Sequence, residues 1–146
     1  MSNGDIFPAP ILRERSGQFR YWVLSGNHRI GAAQLLGDLT TAAYILDTHP
    51  LVETFAKNAG LGFAMPYLHN GQIHDYVPDF IVRLRTDPAR HLVLETKGYD
   101  PLEEVKVAAA RRWVAAVNAD GSYGPWTFAI AKRIADVEPA LTRAAR

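Results

Sequence analysis

Two neighbouring segments decide the fold: YVPDFIVRL at residues 76–84 and LVLETKG at residues 92–98. Each segment contains an apolar run of strand length, and the polar linker between them includes Asp87-Pro88, a combination typical of a turn. The two segments are therefore predicted to form adjacent antiparallel strands. An acid opens the first strand, and an acid and a lysine close the second.

The alternation of side chains predicts the register of this strand pair. The alternate apolar residues of 80–84 must face the same side of the sheet as those of 92–94, so that paired residue numbers have an even sum. Asp79 then lies opposite Glu95. Lys97 is two residues beyond Glu95 and shares its face, roughly 6–7 Å away. A slip by one residue would move Asp79 to the other face.

Two carboxylates and one ammonium at the end of a sheet suit metal-assisted phosphodiester hydrolysis. Asp79 and Glu95 supply the oxygen ligands that Mg²⁺ prefers, and a bound metal polarises the phosphoryl oxygen and acidifies a water. Lys97 can position the attacking water and offset transition-state charge. On its own, the Glu95-Thr96-Lys97 segment is more often a surface ion pair. The Pro78-Asp79 pair, one hairpin upstream in a compatible register, favours the catalytic interpretation.

These residues resemble the motif of the PD-(D/E)xK nuclease superfamily. The wider sequence is similar to the C-terminal endonuclease domain of type III restriction enzyme Res subunits, and the resemblance covers roughly residues 46–132. The segments that carry it are residues 63–67, Gly71, residues 76–80, residues 95–98, residues 112–118 and residues 124–126.

The resemblance implies a magnesium-dependent endonuclease domain for double-stranded DNA, with manganese as a substitute, in a restriction-modification system. Such a domain works with a helicase-like motor and a methyltransferase subunit, and no motor is present in this chain. The implied fold is an α/β (α+β) domain whose central mixed sheet has an αβββαβ restriction-endonuclease-like core flanked by helices. The superfamily often presents another acid from a helix ahead of the sheet; Glu53 is the candidate, and Asp47 is the alternative.

Composition sets limits on the function. The chain of 146 residues is 48% hydrophobic, and its 16 Lys and Arg against 15 Asp and Glu give a net charge of +1. This balance requires any nucleic-acid binding to use a local basic patch. With no cysteine, no signal peptide and no membrane-spanning apolar run, the chain is expected to be cytoplasmic. Cutting two strands with one site per chain favours a homodimer.

The remaining sequence predicts two regions, residues 1–45 as a tail with an accessory hairpin and helix, and residues 46–146 as the nuclease-like domain. The predicted sheet is a meander of residues 62–69, 72–84 and 91–97 plus a strand at 126–131. Helices are predicted at residues 32–46, 49–58, 101–118 and 136–146, and the dipeptide Asn70-Gly71 predicts a tight hairpin turn.

Two further groups of side chains are candidates for binding. Lys106, Arg111 and Arg112 on the helix after Gly98 are candidate DNA phosphate contacts, and a solvated helix face is the alternative. His69 and His74 share one face of the predicted hairpin. A closed zinc site needs four ligands, so an exposed or DNA-facing role is favoured over zinc.

Two alternatives to a DNA endonuclease remain open. The first is a non-enzymatic module that keeps the fold for DNA binding or for docking to a larger helicase or nuclease complex. The second is an RNA or repair nuclease with the same chemistry.

Overall fold

The computed structural model describes residues 12–14, 33–96 and 99–146. Lys97 and the predicted N-terminal hairpin therefore lie outside the described residues. The elements are β1 (Leu12–Glu14), α1 (Ala33–Thr48), β2 (Val52–Lys57), β3 (Met65–His69), β4 (Gln72–Tyr76), β5 (Phe80–Leu84), β6 (His91–Thr96), α2 (Glu103–Asp120), β7 (Trp126–Ala131) and α3 (Val137–Ala144), with a short 3₁₀ helix at Ile134–Asp136.

A mixed sheet of five described strands forms the centre of the fold, in the order β1-β2-β5-β6-β7. The first three pairings are antiparallel, and β6 pairs with β7 in parallel. The parallel pairing follows from the α2 connection, because a helix between two strands returns the chain to the same edge of the sheet. The predicted mixed sheet with flanking helices is confirmed.

The two faces of this sheet carry separate apolar cores. The face covered by α1 and α3 buries a cluster that includes Leu46, Phe55, Phe80, Val82, Leu92, Leu94 and Leu141. The face covered by α2 and the β3-β4 hairpin buries Met65, Tyr67, Tyr76, Val93, Ala109 and Ala110. Among the described helices, none is long and apolar enough to cross a bilayer. Each helix instead places an apolar side on the sheet, as the layered architecture requires.

The predicted helix at residues 49–58 is wrong, because most of this segment is strand β2. Val52, Phe55 and Ala56 have helical spacing, but Val, Thr and Phe also favour strands. Pairing decides the outcome: β2 lies between β1 and β5 and forms ladders with both. The predicted helix at 32–46 corresponds to α1, which runs to Thr48 and so crosses the predicted domain boundary at residue 45.

The predicted meander is also wrong in one respect. Strands β3 and β4 form a separate two-stranded sheet, and β2 occupies the position beside β5 that the meander gave to residues 62–69. Residues 72–84 were predicted as one strand, but β4 ends at Tyr76 and β5 begins at Phe80. Pro78 lies between them, and a proline cannot donate to a strand ladder.

The hairpin turn is where the sequence predicts it. Asn70 and Gly71 connect β3 to β4 with φ values of 51° and 72°. Both angles lie in the left-handed region, as a two-residue type I′ turn requires, and Asn-Gly is the pair best suited to it. The predicted strands on either side of this turn are confirmed as β3 and β4.

The β5-β6 register is confirmed. The ladder pairs Phe80 with Leu94 and Val82 with Leu92, so that paired numbers have the predicted even sum. Extending this register by one position places Asp79 opposite Glu95. The backbone of the strand pair therefore brings the two candidate metal ligands to one level of the sheet.

At the other end of β6, His91 gives the fold a pH dependence. Its ring stacks on Trp126 at a centroid distance of 4.5 Å. Burial, followed by the charge of Arg83, lowers the pKa of His91 from its ordinary 6.5. The unfolded chain therefore binds more protons between the lowered pKa and pH 6.5, so the stabilisation is complete above pH 6.5 and is lost as pH falls through this window.

We expect His91→Phe, which keeps a stacked ring, to reduce the loss of stability between pH 7 and pH 5. The measurement is urea unfolding of both chains at several pH values. Equal slopes of unfolding free energy against pH in the two chains would show that His91 is not the titrating group.

Candidate active site

Asp79 is held at the end of β5 by three donors. Its Oδ1 accepts a hydrogen bond from Lys57 Nζ at 2.9 Å. Its Oδ2 accepts from the Thr96 backbone N–H at 2.9 Å and from the Thr96 hydroxyl at 2.8 Å. Both carboxylate oxygens are therefore bound by protein groups, one of them cationic.

Asn58 fixes the Pro78-Asp79 turn from the neighbouring strand. Its backbone N–H donates to the Asp79 carbonyl at 2.8 Å. Its buried side-chain Nδ2 donates to the carbonyl oxygens of Pro78 at 3.0 Å and Phe63 at 2.8 Å. Asn58 thus anchors the backbone that carries Asp79.

Glu95 lies on the α2 side of the sheet and is only 6% exposed. The phenol of Tyr76 is its hydrogen-bond partner, and burial followed by the Glu95 charge raises the pKa of Tyr76 far above its ordinary value. Tyr76 is therefore a neutral donor at every physiological pH.

Charged residues in the first turn of α2 and just before it lie next to Glu95. Lys106 Nζ forms a 2.8 Å ion pair with Asp100 and lies 5.8 Å from the centre of the Tyr76 ring. A small cavity next to this pair is lined by Tyr76, Glu95, Asp100, Glu103, Lys106 and Ile130. Glu95 therefore faces a mixed set of charges within a restricted volume.

The surroundings of Asp79 and of Glu95 lie on opposite faces of the sheet. Lys57 pairs with Phe80, and Thr96 lies two residues beyond Leu94, so both belong to the face covered by α1 and α3. Glu95 instead follows Val93 onto the α2 face. The contacts of Asp79 thus differ from the predicted one-face arrangement, and joint coordination of one ion requires Asp79 to turn away from Lys57.

Glu53 does not join these acids, and its prediction is corrected by the position of β2. The strand register places Val52 opposite Leu84, at the far end of the sheet from Lys57. Glu53 is four positions from Lys57 along β2, a distance of roughly 13 Å. Glu53 forms an ion pair with Arg83 at 3.1 Å. Asp47, the alternative, is near the end of α1 and is separated from Lys57 by the whole length of β2.

The predicted phosphate contacts divide into two groups. Arg111 and Arg112 are exposed on α2, whereas Lys106 is directed inward to Asp100 with 20% of its side chain exposed. The helix thus presents two of the three predicted cations to solvent.

The two hairpin histidines are neighbours, as predicted. The rings of His69 and His74 are 6.2 Å apart, and His74 stacks on Tyr67 at 5.5 Å. Within residues 12–14, 33–96 and 99–146, no three or more His, Cys, Asp or Glu side chains are arranged to hold a metal.

The sequence prediction missed four residues that contact the candidate ligands: Lys57, Asn58, Thr96 and Tyr76. The predicted helix at residues 49–58 includes Lys57 and Asn58, so the sequence does not predict that they lie beside Asp79. Tyr76 is on the same stretch as Pro78, but its orientation depends on the separate hairpin. Recognition of residues 52–57 as a strand would have found the first two.

We expect Tyr76→Phe to lower the unfolding free energy by about 1–3 kcal/mol, because the buried Glu95 loses its phenolic donor. Chemical denaturation measures this difference. Tyr99→Phe is the control, since Tyr99 is 92% exposed and its change should be within about 0.5 kcal/mol. If the two variants lose equal stability, the Tyr76 hydroxyl does not stabilise the carboxylate.

Comparison with known proteins adds no relatives: no family model, curated protein or solved structure matches this chain.

Proposed function

We propose that this chain is a magnesium-dependent DNA endonuclease domain of the PD-(D/E)xK type that hydrolyses phosphodiester bonds. The observation that supports the proposal is the β5-β6 register, because its extension by one position beyond the Phe80-Leu94 pair brings the backbone of Asp79 opposite that of Glu95. The element order α1-β2-β5-β6-α2-β7 around the main sheet agrees with an αβββαβ core, with β2 as its first strand.

The donor set fits a magnesium ion. Mg²⁺ commonly binds through one or two carboxylates and keeps several waters, and Asp79 and Glu95 would supply two. Thr96 and Lys57 hold Asp79, and Tyr76 lies beside Glu95. A set of two carboxylates therefore agrees with the usual coordination of Mg²⁺, provided that Asp79 exchanges its hydrogen bond with Lys57 for the metal.

Each residue then has a defined task. When bound, magnesium supplies Lewis-acid polarisation of the phosphoryl oxygen and a more acidic water. Thr96 orients Asp79 through two hydrogen bonds, and Tyr76 lies beside the buried Glu95 carboxylate and can donate its phenolic proton to it. Lys97, whose structure lies outside the described residues, would orient the attacking water. The water oxygen bonds to phosphorus as the bond to the leaving sugar oxygen breaks.

The proposal extends to partners. Double-stranded DNA is the substrate, and Arg111 and Arg112, which are exposed on α2, are the candidate phosphate contacts. By resemblance, a helicase-like motor and a methyltransferase subunit of a type III restriction-modification system are the protein partners, and the cytoplasm is the compartment. A homodimer would provide the two sites needed to cut both strands.

The decisive experiment is cleavage of supercoiled plasmid by the purified chain with Mg²⁺, with Mn²⁺ and with EDTA. We expect nicked and linear DNA only with the metals, and no product from Glu95→Gln. Metal-independent cutting, or equal cutting by Glu95→Gln, would reject the proposed site. Parallel assays with single-stranded RNA separate a DNA nuclease from an RNA nuclease.

One observation favours a second candidate, a non-enzymatic module that binds DNA or docks to a larger complex. Both oxygens of Asp79 already have protein partners, and the Lys57 ion pair is mostly shielded, with side-chain exposures of 14% and 20%. Such bonds can serve a purely structural role. Calorimetric titration with Mn²⁺ discriminates between the two candidates, because a structural module would bind no metal while fully folded.

A further inference from the structure

Lys57 is placed to control the chemistry of Asp79. It is the last residue of β2 and pairs with Phe80, the residue after Asp79. Its ammonium lies 2.9 Å from Asp79 Oδ1 and 5.0 Å from the centre of the Phe80 ring. Ring and carboxylate both favour a cation at this point.

The ion pair is more sheltered than most surface pairs. The side chains of Lys57 and Asp79 are 14% and 20% exposed. Charges in such a position interact more strongly than charges in bulk water, because solvent and salt screen them less. A second cation that approaches Asp79 therefore meets an unfavourable interaction with the ammonium.

A cation that binds Oδ2 of Asp79 must compete with two hydrogen bonds. Oδ2 accepts both hydrogen bonds from Thr96, one of them from the backbone. Oδ1 accepts from the Lys57 ammonium, which is easier to move than Thr96 because a lysine has a long flexible stem. Metal binding through Asp79 thus calls for exchange of Lys57 rather than of Thr96.

We propose that Lys57 is the resident counter-ion of Asp79, and that a divalent cation must displace its ammonium in order to bind. The inference rests on the proposed metal site and adds a positioning residue to it. Lys57 holds the Asp79 carboxylate in one position before the metal arrives, and it lowers the affinity of the site for the metal. The free chain is then a weak metal binder.

The test is calorimetric titration of the full chain with Mn²⁺ alone. We expect Lys57→Met to bind Mn²⁺ about tenfold more tightly than the wild type, since the competing charge is gone. Lys57→Arg keeps the charge and should bind as weakly as the wild type. Lys57→Gln, which can still donate to Asp79, provides a second neutral variant if Lys57→Met folds poorly by circular dichroism.

Lys132→Met is the matched control. Lys132 also forms an ion pair, with Glu103 at 2.8 Å, and it directly follows Ala131, which pairs with Thr96. The same charge is removed near the same end of the sheet. An affinity gain equal to that of Lys57→Met would show a general charge effect and would overturn the inference.

The remaining outcomes separate this inference from the proposed function. If Lys57→Met binds Mn²⁺ no more tightly than the wild type, and Asp79→Asn abolishes binding, the metal site stands and the role of Lys57 is rejected. If no variant binds Mn²⁺, both proposals fail. In the expected case, adding Asp79→Asn to Lys57→Met removes the gain, because the coupling acts through one carboxylate.

Discussion

Asp79→Asn is expected to reduce Mg²⁺-dependent DNA cleavage by about a thousandfold or more. Metal-assisted charge stabilisation contributes several kcal/mol to such reactions, and each 1.36 kcal/mol corresponds to about a factor of ten in rate. The change removes the charge of one of two proposed ligands while it keeps the size of the side chain. The measurement is the initial rate of plasmid nicking at saturating Mg²⁺.

Asparagine is preferred to alanine here because Asp79 also has a structural role. It accepts bonds from Lys57 and Thr96, and Asp79→Ala would leave these partly buried donors without an acceptor, at a cost of about 1–3 kcal/mol. Asp79→Asn retains one acceptor oxygen, so melting curves should show a smaller loss of stability. This separates a chemical effect from an unfolding effect.

Asp75→Asn is the control for charge, because Asp75 is an exposed acid on β4. It should cleave DNA at the wild-type rate. Lys97→Met should lose activity to a similar degree as Asp79→Asn while folding normally. If the Asp79 and Lys97 variants both cut as fast as the wild type, the cleavage arises at another site.

Phe80→Ala is expected to have the largest effect on stability, a loss of about 3–5 kcal/mol. Phe80 is 1% exposed, and its ring packs against Phe55 with centroids 6.3 Å apart. Truncation removes apolar contacts at the centre of the sheet and leaves a cavity in a rigid β ladder. It also removes the ring beside the Lys57 ammonium.

Urea unfolding monitored by fluorescence measures this loss. Ile73→Ala removes a comparable apolar side chain that is 78% exposed, and its change should stay within about 0.5 kcal/mol. A loss below about 1 kcal/mol for Phe80→Ala would mean that the core at the start of β5 is less tightly packed than its burial indicates.

Local sequence patterns predicted the β5-β6 strand pair correctly. Apolar alternation in residues 80–84 and 92–94 requires one register, and β5 and β6 pair in that register. The left-handed residues of the β3-β4 turn were equally predictable from Asn70-Gly71, because few other pairs adopt those angles without strain. These features depend on residues close together in the chain.

The errors arose where distant pairing decides the structure. Residues 52–57 have apolar spacing that fits a helix, and short apolar segments do not separate helix from strand by periodicity. Two neighbouring strands resolve the ambiguity, and both of them are remote in sequence. This one error moved Glu53 into the site and left Lys57 and Asn58 out of it.

The two hydrogen bonds donated by the Asn58 side chain also determine where the chain should tolerate insertions and deletions. One amide binds the carbonyls of Phe63 and Pro78, so the segment between them leaves the main sheet and returns to almost the same point. Insertions or deletions at the tip near Gly71 should therefore be absorbed without shifting β5 and β6. The exposed Leu68 and Ile73 lie on this appendage, where substitutions should leave the β5-β6 ladder unchanged.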